Sequence, residues 1–195
     1  MVGGGLIGLE VVEVLHHAGV AVHFLIMEDW YWPLALDQRE AQWMVEVMKE
    51  KGVYVHLKTQ VEEFFGDKQG LVRGVRTKDG LELDCDLAVI TIGVVPNTQW
   101  LEGSGIALDE RSKGILVDAG LGTSGPDIFA AGDCATVRWF NGAQRPEQLW
   151  YTSRAQGRVA GRRLLGDQVT YQRGTFYNSA KFMDVEYTTA GLVNF

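Results

Sequence analysis

Gly3, Gly5 and Gly8 stand in the pattern G-x-G-x-x-G within MVGGGLIGLE, and the residues that follow decide what the pattern means. Ile7, Val11, Val14, Leu15 and Ala18 recur at helical spacing and predict an amphipathic helix with these side chains as its apolar stripe. Gly19 closes it as a C-terminal cap. Val20 to Met27 is then an almost unbroken apolar run, as expected of a parallel strand covered on both faces. A glycine pattern that opens a helix and leads into a buried strand reads as a dinucleotide-binding unit. The first glycine permits the tight turn, the second lets backbone approach a pyrophosphate, and the third lets helix and strand pack closely. A purely structural glycine-rich turn is the alternative.

Such a unit uses an acidic residue about 20 positions later to hold the adenosine ribose. Glu28 is the candidate, with Asp29 beside it, and a solvated loop carboxylate is the plainer alternative. The loop carries no arginine for a 2′-phosphate, Arg39 being the nearest, which favours NADH over NADPH.

The 195-residue chain is long enough to bury a core as one large or two small domains. Its 24 glycines suit a fold built on tight turns, and a net charge of −7 without a basic block argues against nucleic acid or an anionic membrane as partner. No apolar run reaches the roughly 18 residues of a transmembrane helix, and no signal-peptide pattern is present, so a cytoplasmic protein is expected. Cys85 and Cys134 form no metal-ligand or C-x-x-C spacing, and His16, His17, His23 and His56 form no metal set. Cys85 reads as a small core residue.

Asp37-Gln38-Arg39-Glu40 resembles a capping box, with Ala41, Met44, Val45 and Met48 as the apolar face of a helix that stops at Gly52. The Met and Trp residues here read as core filling. Val53 to Leu57 is a further strand. From Val61 to Cys85 the rhythm becomes that of short antiparallel strands, with Lys78-Asp79-Gly80 as a hairpin turn. Leu87 to Ile92 reads as a buried parallel strand ending at Gly93. The fold class is therefore α/β, a Rossmann-like parallel sheet with an inserted antiparallel meander. Past a crossing point at Pro96-Asn97-Thr98, a second helix runs from about Trp150 to Leu165, with Ala155, Val159, Ala160 and Leu164 on one side.

Three segments, GGGLIGLE at 3–10, AVITIGVVPNT at 88–98 and TSGPDIFAAGDCA at 123–135, stand in an order that resembles the two-dinucleotide-binding flavoproteins. These are the FAD-dependent pyridine nucleotide-disulfide oxidoreductases and their relatives. The resemblance covers residues 1 to about 165, and YNSAKFMDVEYTTAGLV matches the family's C-terminal interface domain only loosely. It implies an NAD(H)-binding domain at 1–95, part of an FAD-binding domain at 96–166, and the start of an interface domain at 167–195. It further implies that Gly3, Gly5, Leu6, Ile7 and Gly8 line the NADH pyrophosphate, and that Gly93 lets the dinucleotide lie against the strand end. Glu10 matches an acidic residue near the nicotinamide; an exposed helix-face glutamate is its other reading. Asp133, after Gly132, would accept a hydrogen bond from the ribityl chain of FAD, a role compatible with capping the next turn. Cys134 follows it and is no half of a redox pair. The helix from Thr152 to Leu165 would aim its N-terminus at the flavin. The family's ribose-binding acid falls at Ile26, so that carboxylate is displaced to Glu28 or lost.

The strand in front of the fingerprint survives only as Met1-Val2, where the family has the centre of its parallel sheet. The simplest expectation is a fragment of an FAD-dependent NAD(P)H oxidoreductase that passes hydride from NADH to flavin and on to an unidentified acceptor. The isolated chain is then expected to be inactive and prone to form a homo-oligomer. A non-catalytic nucleotide-binding or interaction module is the alternative. The catalytic residues are unknown at this stage.

Overall fold

A computed structural model describes residues 1–139 and 141–191; Leu192 and Val193 of the loosely matched segment lie outside them. In chain order the elements are α1 (Leu6–His17), β1 (His23–Leu25), α2 (Gln38–Glu50), β2 (Tyr54–His56), β3 (Val61–Gly66), β4 (Val72–Thr77) and β5 (Glu82–Asp84). A 3-10 turn (Gln99–Leu101), β6 (Ile115–Leu116), β7 (Ala135–Arg138), β8 (Gln144–Arg145), α3 (Trp150–Leu164), β9 (Tyr177–Phe182) and β10 (Val185–Ala190) follow. They form two compact units, residues 1–93 with 177 onward, and residues 94–176.

In the first unit β1 and β2 pair in parallel, and Val2 bridges Leu25 on one side and Ile90 on the other, both in parallel. The rows thus run β2, β1, Val2, Ile90, the 3-2-1-4 order of a doubly wound nucleotide-binding sheet. Two residues suffice for the central row because their backbone groups reach both neighbours. The Val2 N–H donates to Val89 at 2.9 Å and the Gly3 N–H to Leu25 at 3.0 Å, while the Val2 carbonyl accepts from Thr91 at 2.8 Å.

α2 begins at the expected capping box: the Glu40 N–H donates to the Asp37 carboxylate at 2.8 Å, and the Asp37 N–H to the Glu40 carboxylate at 3.0 Å. Ala41, Met44, Val45 and Met48 are all buried. They meet Leu9, Val12, Phe24, Ile26 and Tyr31 in one core that also takes in Phe182 and Met183 of the β9–β10 hairpin. The β3-β4-β5 meander is antiparallel, with its turn at Gly80 at φ +86°. In the second unit β6 pairs in parallel with β7, and β7 antiparallel with β8.

Four expectations are corrected. α1 turns Gly8, Leu9 and Val12 inward, whereas Ile7 and Val14 of the expected stripe are exposed. The helix is apolar nearly all round, so spacing alone could not choose the face. Leu87 to Ile92 contributes only a bridge at Ile90, and Ile92 is 78 % exposed, because the described residues put no layer over that face. α3 buries Thr152, Gln156 and Ala160, a mostly polar face, while Leu164 is exposed. Finally, Trp43 on α2 is exposed and Cys85 only partly buried. Among the described residues no helix is long and apolar enough to cross a membrane, and no group of three or more His, Cys, Asp or Glu is placed to hold a metal ion.

Candidate nucleotide-binding sites

The three fingerprint glycines have three separate physical causes. Gly3 sits at φ +107°, and a β-carbon there would come within 2.7 Å of the Thr91 carbonyl carbon. A β-carbon on Gly8 would press on the Gly3 carbonyl oxygen and stand 2.8 Å from the Thr91 hydroxyl. Gly5 differs from both. Its φ of −82° and ψ of −179° are open to any residue, and a β-carbon there would meet no protein atom within 4 Å. Nothing inside the chain requires glycine at position 5; space beside the backbone does.

The helix behind this turn is left uncapped. Gly5 is its N-cap with no side-chain hydrogen bond, and no acidic residue occupies the first turn. The amides of Leu6, Ile7 and Gly8 therefore lack the carboxylate that α2 receives from Asp37, and a helix N-terminus in that state attracts an anion. Thr91, absent from the expected set, closes the loop: its hydroxyl lies 3.1 Å from both the Val2 and Gly3 carbonyl oxygens. Its signal was a lone polar residue inside the run Ala88–Ile92. Gly93 follows at φ +113°, with open space where a β-carbon would be.

Ile26 is wholly buried against Gly4, where a β-carbon would stand 2.8 Å from its Cγ2. That position therefore serves the core. Glu28 is half-buried, its carbonyl accepts from the Lys58 N–H at 3.1 Å, and the Lys58 ammonium pairs with Asp29 at 3.3 Å. Glu10 is exposed on α1, and its charge, after burial, helps push the Tyr187 phenol up.

The second unit carries its own turn. Gly132, at φ +84°, donates its N–H to the Gln156 side-chain oxygen at 2.7 Å, and the exposed Asp133 carboxylate accepts from the Ser153 hydroxyl at 2.9 Å. Ser153 and Gln156 both lie on α3, so the Gly-Asp turn is tied to the start of that helix. Hydropathy could not single them out, because a buried glutamine breaks the apolar pattern used to choose a helix face. Gln156 is fully buried, yet its side-chain amide nitrogen has no partner. α3 also starts without a side-chain cap or an acidic residue in its first turn. Burial pushes the Cys134 thiol up, and its sulfur lies 3.6 Å from the Ala131 carbonyl oxygen.

The residues present fit the two cofactors implied. An open glycine beside an uncapped helix start fits a pyrophosphate, while an exposed carboxylate, an orphaned buried amide and a second uncapped helix start fit the polar parts of a flavin nucleotide. A 3-2-1-4 sheet with the first arrangement, and a Gly-Asp turn with the second, define the class of oxidoreductases that hold two nucleotides.

A family model described as pyridine nucleotide-disulphide oxidoreductase matches residues 1–157. The chain belongs to this family, whose members bind FAD and NAD(H). It is 33 % identical over 170 residues to the benzene 1,2-dioxygenase system ferredoxin–NAD(+) reductase subunit of Pseudomonas putida, covering 87 % of this chain and 40 % of that protein. It is 32 % identical over 186 residues to an NADH oxidase of Enterococcus faecalis, covering 94 % and 40 %. A crystal structure of an FAD-dependent pyridine nucleotide-disulphide oxidoreductase from Desulfovibrio vulgaris superposes with a TM-score of 0.89 at 33 % identity, covering 98 % of this chain and 48 % of that one. The chain thus spans less than half the length of these relatives.

Proposed function

We propose that this chain supplies the NADH-binding domain and a flavin-contacting turn of an FAD-dependent NADH oxidoreductase. The observation that carries the reading is Gly5, a glycine that the protein's own packing does not explain. In this reading the amides of Leu6, Ile7 and Gly8 donate to the pyrophosphate, and Gly5 leaves its backbone bare so that the phosphates can come close. Glu28 accepts from the adenosine ribose, since Ile26 is committed to the core. Gly93 leaves room at the strand end, and Glu10 stands at the outer end of the same groove.

In the second unit Asp133 accepts a hydrogen bond from the ribityl chain, and the α3 N-terminus favours a reduced, anionic flavin ring. When bound, the two cofactors supply the chemistry: hydride passes from the nicotinamide C4 to the flavin N5, and the protein orients and tunes them. The electron acceptor is proposed to be a small ferredoxin, on the strength of the Pseudomonas putida relative's name. The whole protein is proposed to be cytoplasmic and homo-oligomeric.

Isothermal titration with NADH and with ADP-ribose tests the nucleotide reading. Saturable binding of both is expected, because the pyrophosphate is the shared anchor. Binding of neither would overturn it.

A further inference from the structure

A cavity of about 120 Å³ in the first unit lies apart from the fingerprint turn. Its walls include Tyr31, Trp32, Trp43 and Tyr187, with Glu40 and Glu186 also in the lining and no lysine or arginine there. Tyr187 and Trp32 meet edge to face at 5.5 Å, and Tyr31 tilts on Trp32 at 6.3 Å. The hydroxyls of Tyr31 and Tyr187 are both buried and neither has a hydrogen-bond partner. Burial pushes both phenols up, so both keep their protons and can donate as well as accept.

Glu40 and Glu186 are exposed and stand at the mouth. Glu40 also accepts from the Asp37 N–H, and Glu186 pairs with the exposed Lys181 at 3.7 Å. Two unpartnered buried hydroxyls need a polar atom that the chain does not provide. Aromatic faces beside carboxylates, with no cation in the lining, select a positive charge inside an apolar envelope. The volume sets the size, since an apolar cavity of about 150 Å³ accepts benzene. A nucleotide is too large for it.

We propose that this cavity binds a small quaternary ammonium ion that also carries a hydroxyl group, a ligand of choline's size and chemistry. The ammonium packs against the tryptophan and tyrosine rings under the field of Glu40 and Glu186, and the ligand hydroxyl partners the two phenols. This site is independent of the nucleotide reading.

The test is calorimetric titration of the full chain with choline chloride and with 3,3-dimethylbutan-1-ol, its neutral isostere, at matched ionic strength. Choline is expected to bind saturably and roughly tenfold or more tighter than the isostere. Trp43→Ala, at a side chain exposed enough to spare the core, and Tyr187→Phe should each weaken choline, with circular dichroism confirming the fold. Gly5→Val should leave choline binding intact. No choline binding, or equal binding of the isostere, would mean that the cavity holds only water and would overturn the proposal. Loss of choline binding in Gly5→Val with both cavity variants silent would overturn it too, by placing the ligand at the fingerprint turn.

Discussion

Gly8 packs against the carbonyl oxygen of Gly3 so closely that a single added methyl group has nowhere to go. The helix start and the turn are one packed object, which the Thr91 hydroxyl holds from the far side at 3.1 Å from the Gly3 carbonyl oxygen. Gly8→Ala should therefore destabilise the chain by about 1–3 kcal/mol, the range for overpacking a filled site. Chemical denaturation checks this, and an unchanged midpoint would contradict the packing role.

The second unit rests on a buried ion pair. Arg173 grips Glu147 with two hydrogen bonds of 2.6 Å, both side chains are almost fully buried, and the guanidinium also lies 5.1 Å from the Trp139 ring centre. Removing one partner leaves a charge without compensation. Glu147→Leu alone should cost roughly 3–5 kcal/mol, and the double variant with Arg173→Met should recover much of that loss. If the single and double variants prove equally unstable, the loss comes from packing and not from the stranded charge.

His23 and His56 face each other across β1 and β2, with Nδ1 of the first 3.0 Å from Nε2 of the second. Burial first, then the positive amino terminus, lowers the His23 pKa; burial, His23, Lys49 and the amino terminus lower that of His56, against an opposing pull from Asp79. The unfolded chain therefore takes up protons before the folded one as the pH falls. The pair's contribution to stability is fully present above about pH 6.5 and is lost as the pH drops through and below that value. Denaturation midpoints should fall between about pH 7.5 and about pH 5.5, and His56→Gln should flatten the decline. A midpoint that rises on acidification over that range would reverse the assigned sign.

Much of the first unit was legible in the sequence because its signals are local. The Asp37–Glu40 box, the α2 face of Ala41, Met44, Val45 and Met48, and the Gly80 turn each depend on neighbours a few residues away, and each stands where spacing placed it. The failures have a common cause. α1 and the segment Leu87–Ile92 are apolar on more than one side, so hydropathy could not say which side this chain covers. α3 failed in the opposite sense, since it buries Thr152 and Gln156 to serve hydrogen bonds and turns Leu164 outward. Thr91, Ser153 and Gln156 escaped notice because their roles arise from partners that are distant in sequence, at Gly3, Asp133 and Gly132.

Gly5 separates the packing account of the fingerprint from the ligand account. A valine there meets no strain in φ and no protein atom, so Gly5→Val should match the parent chain in denaturation midpoint. Its branched side chain would instead occupy the space reserved for the pyrophosphate. NADH affinity, measured by calorimetry on parent and variant side by side, should therefore weaken by about 1–3 kcal/mol or more while stability holds. An unchanged NADH dissociation constant in a stably folded Gly5→Val chain would contradict the assignment of this turn to the dinucleotide.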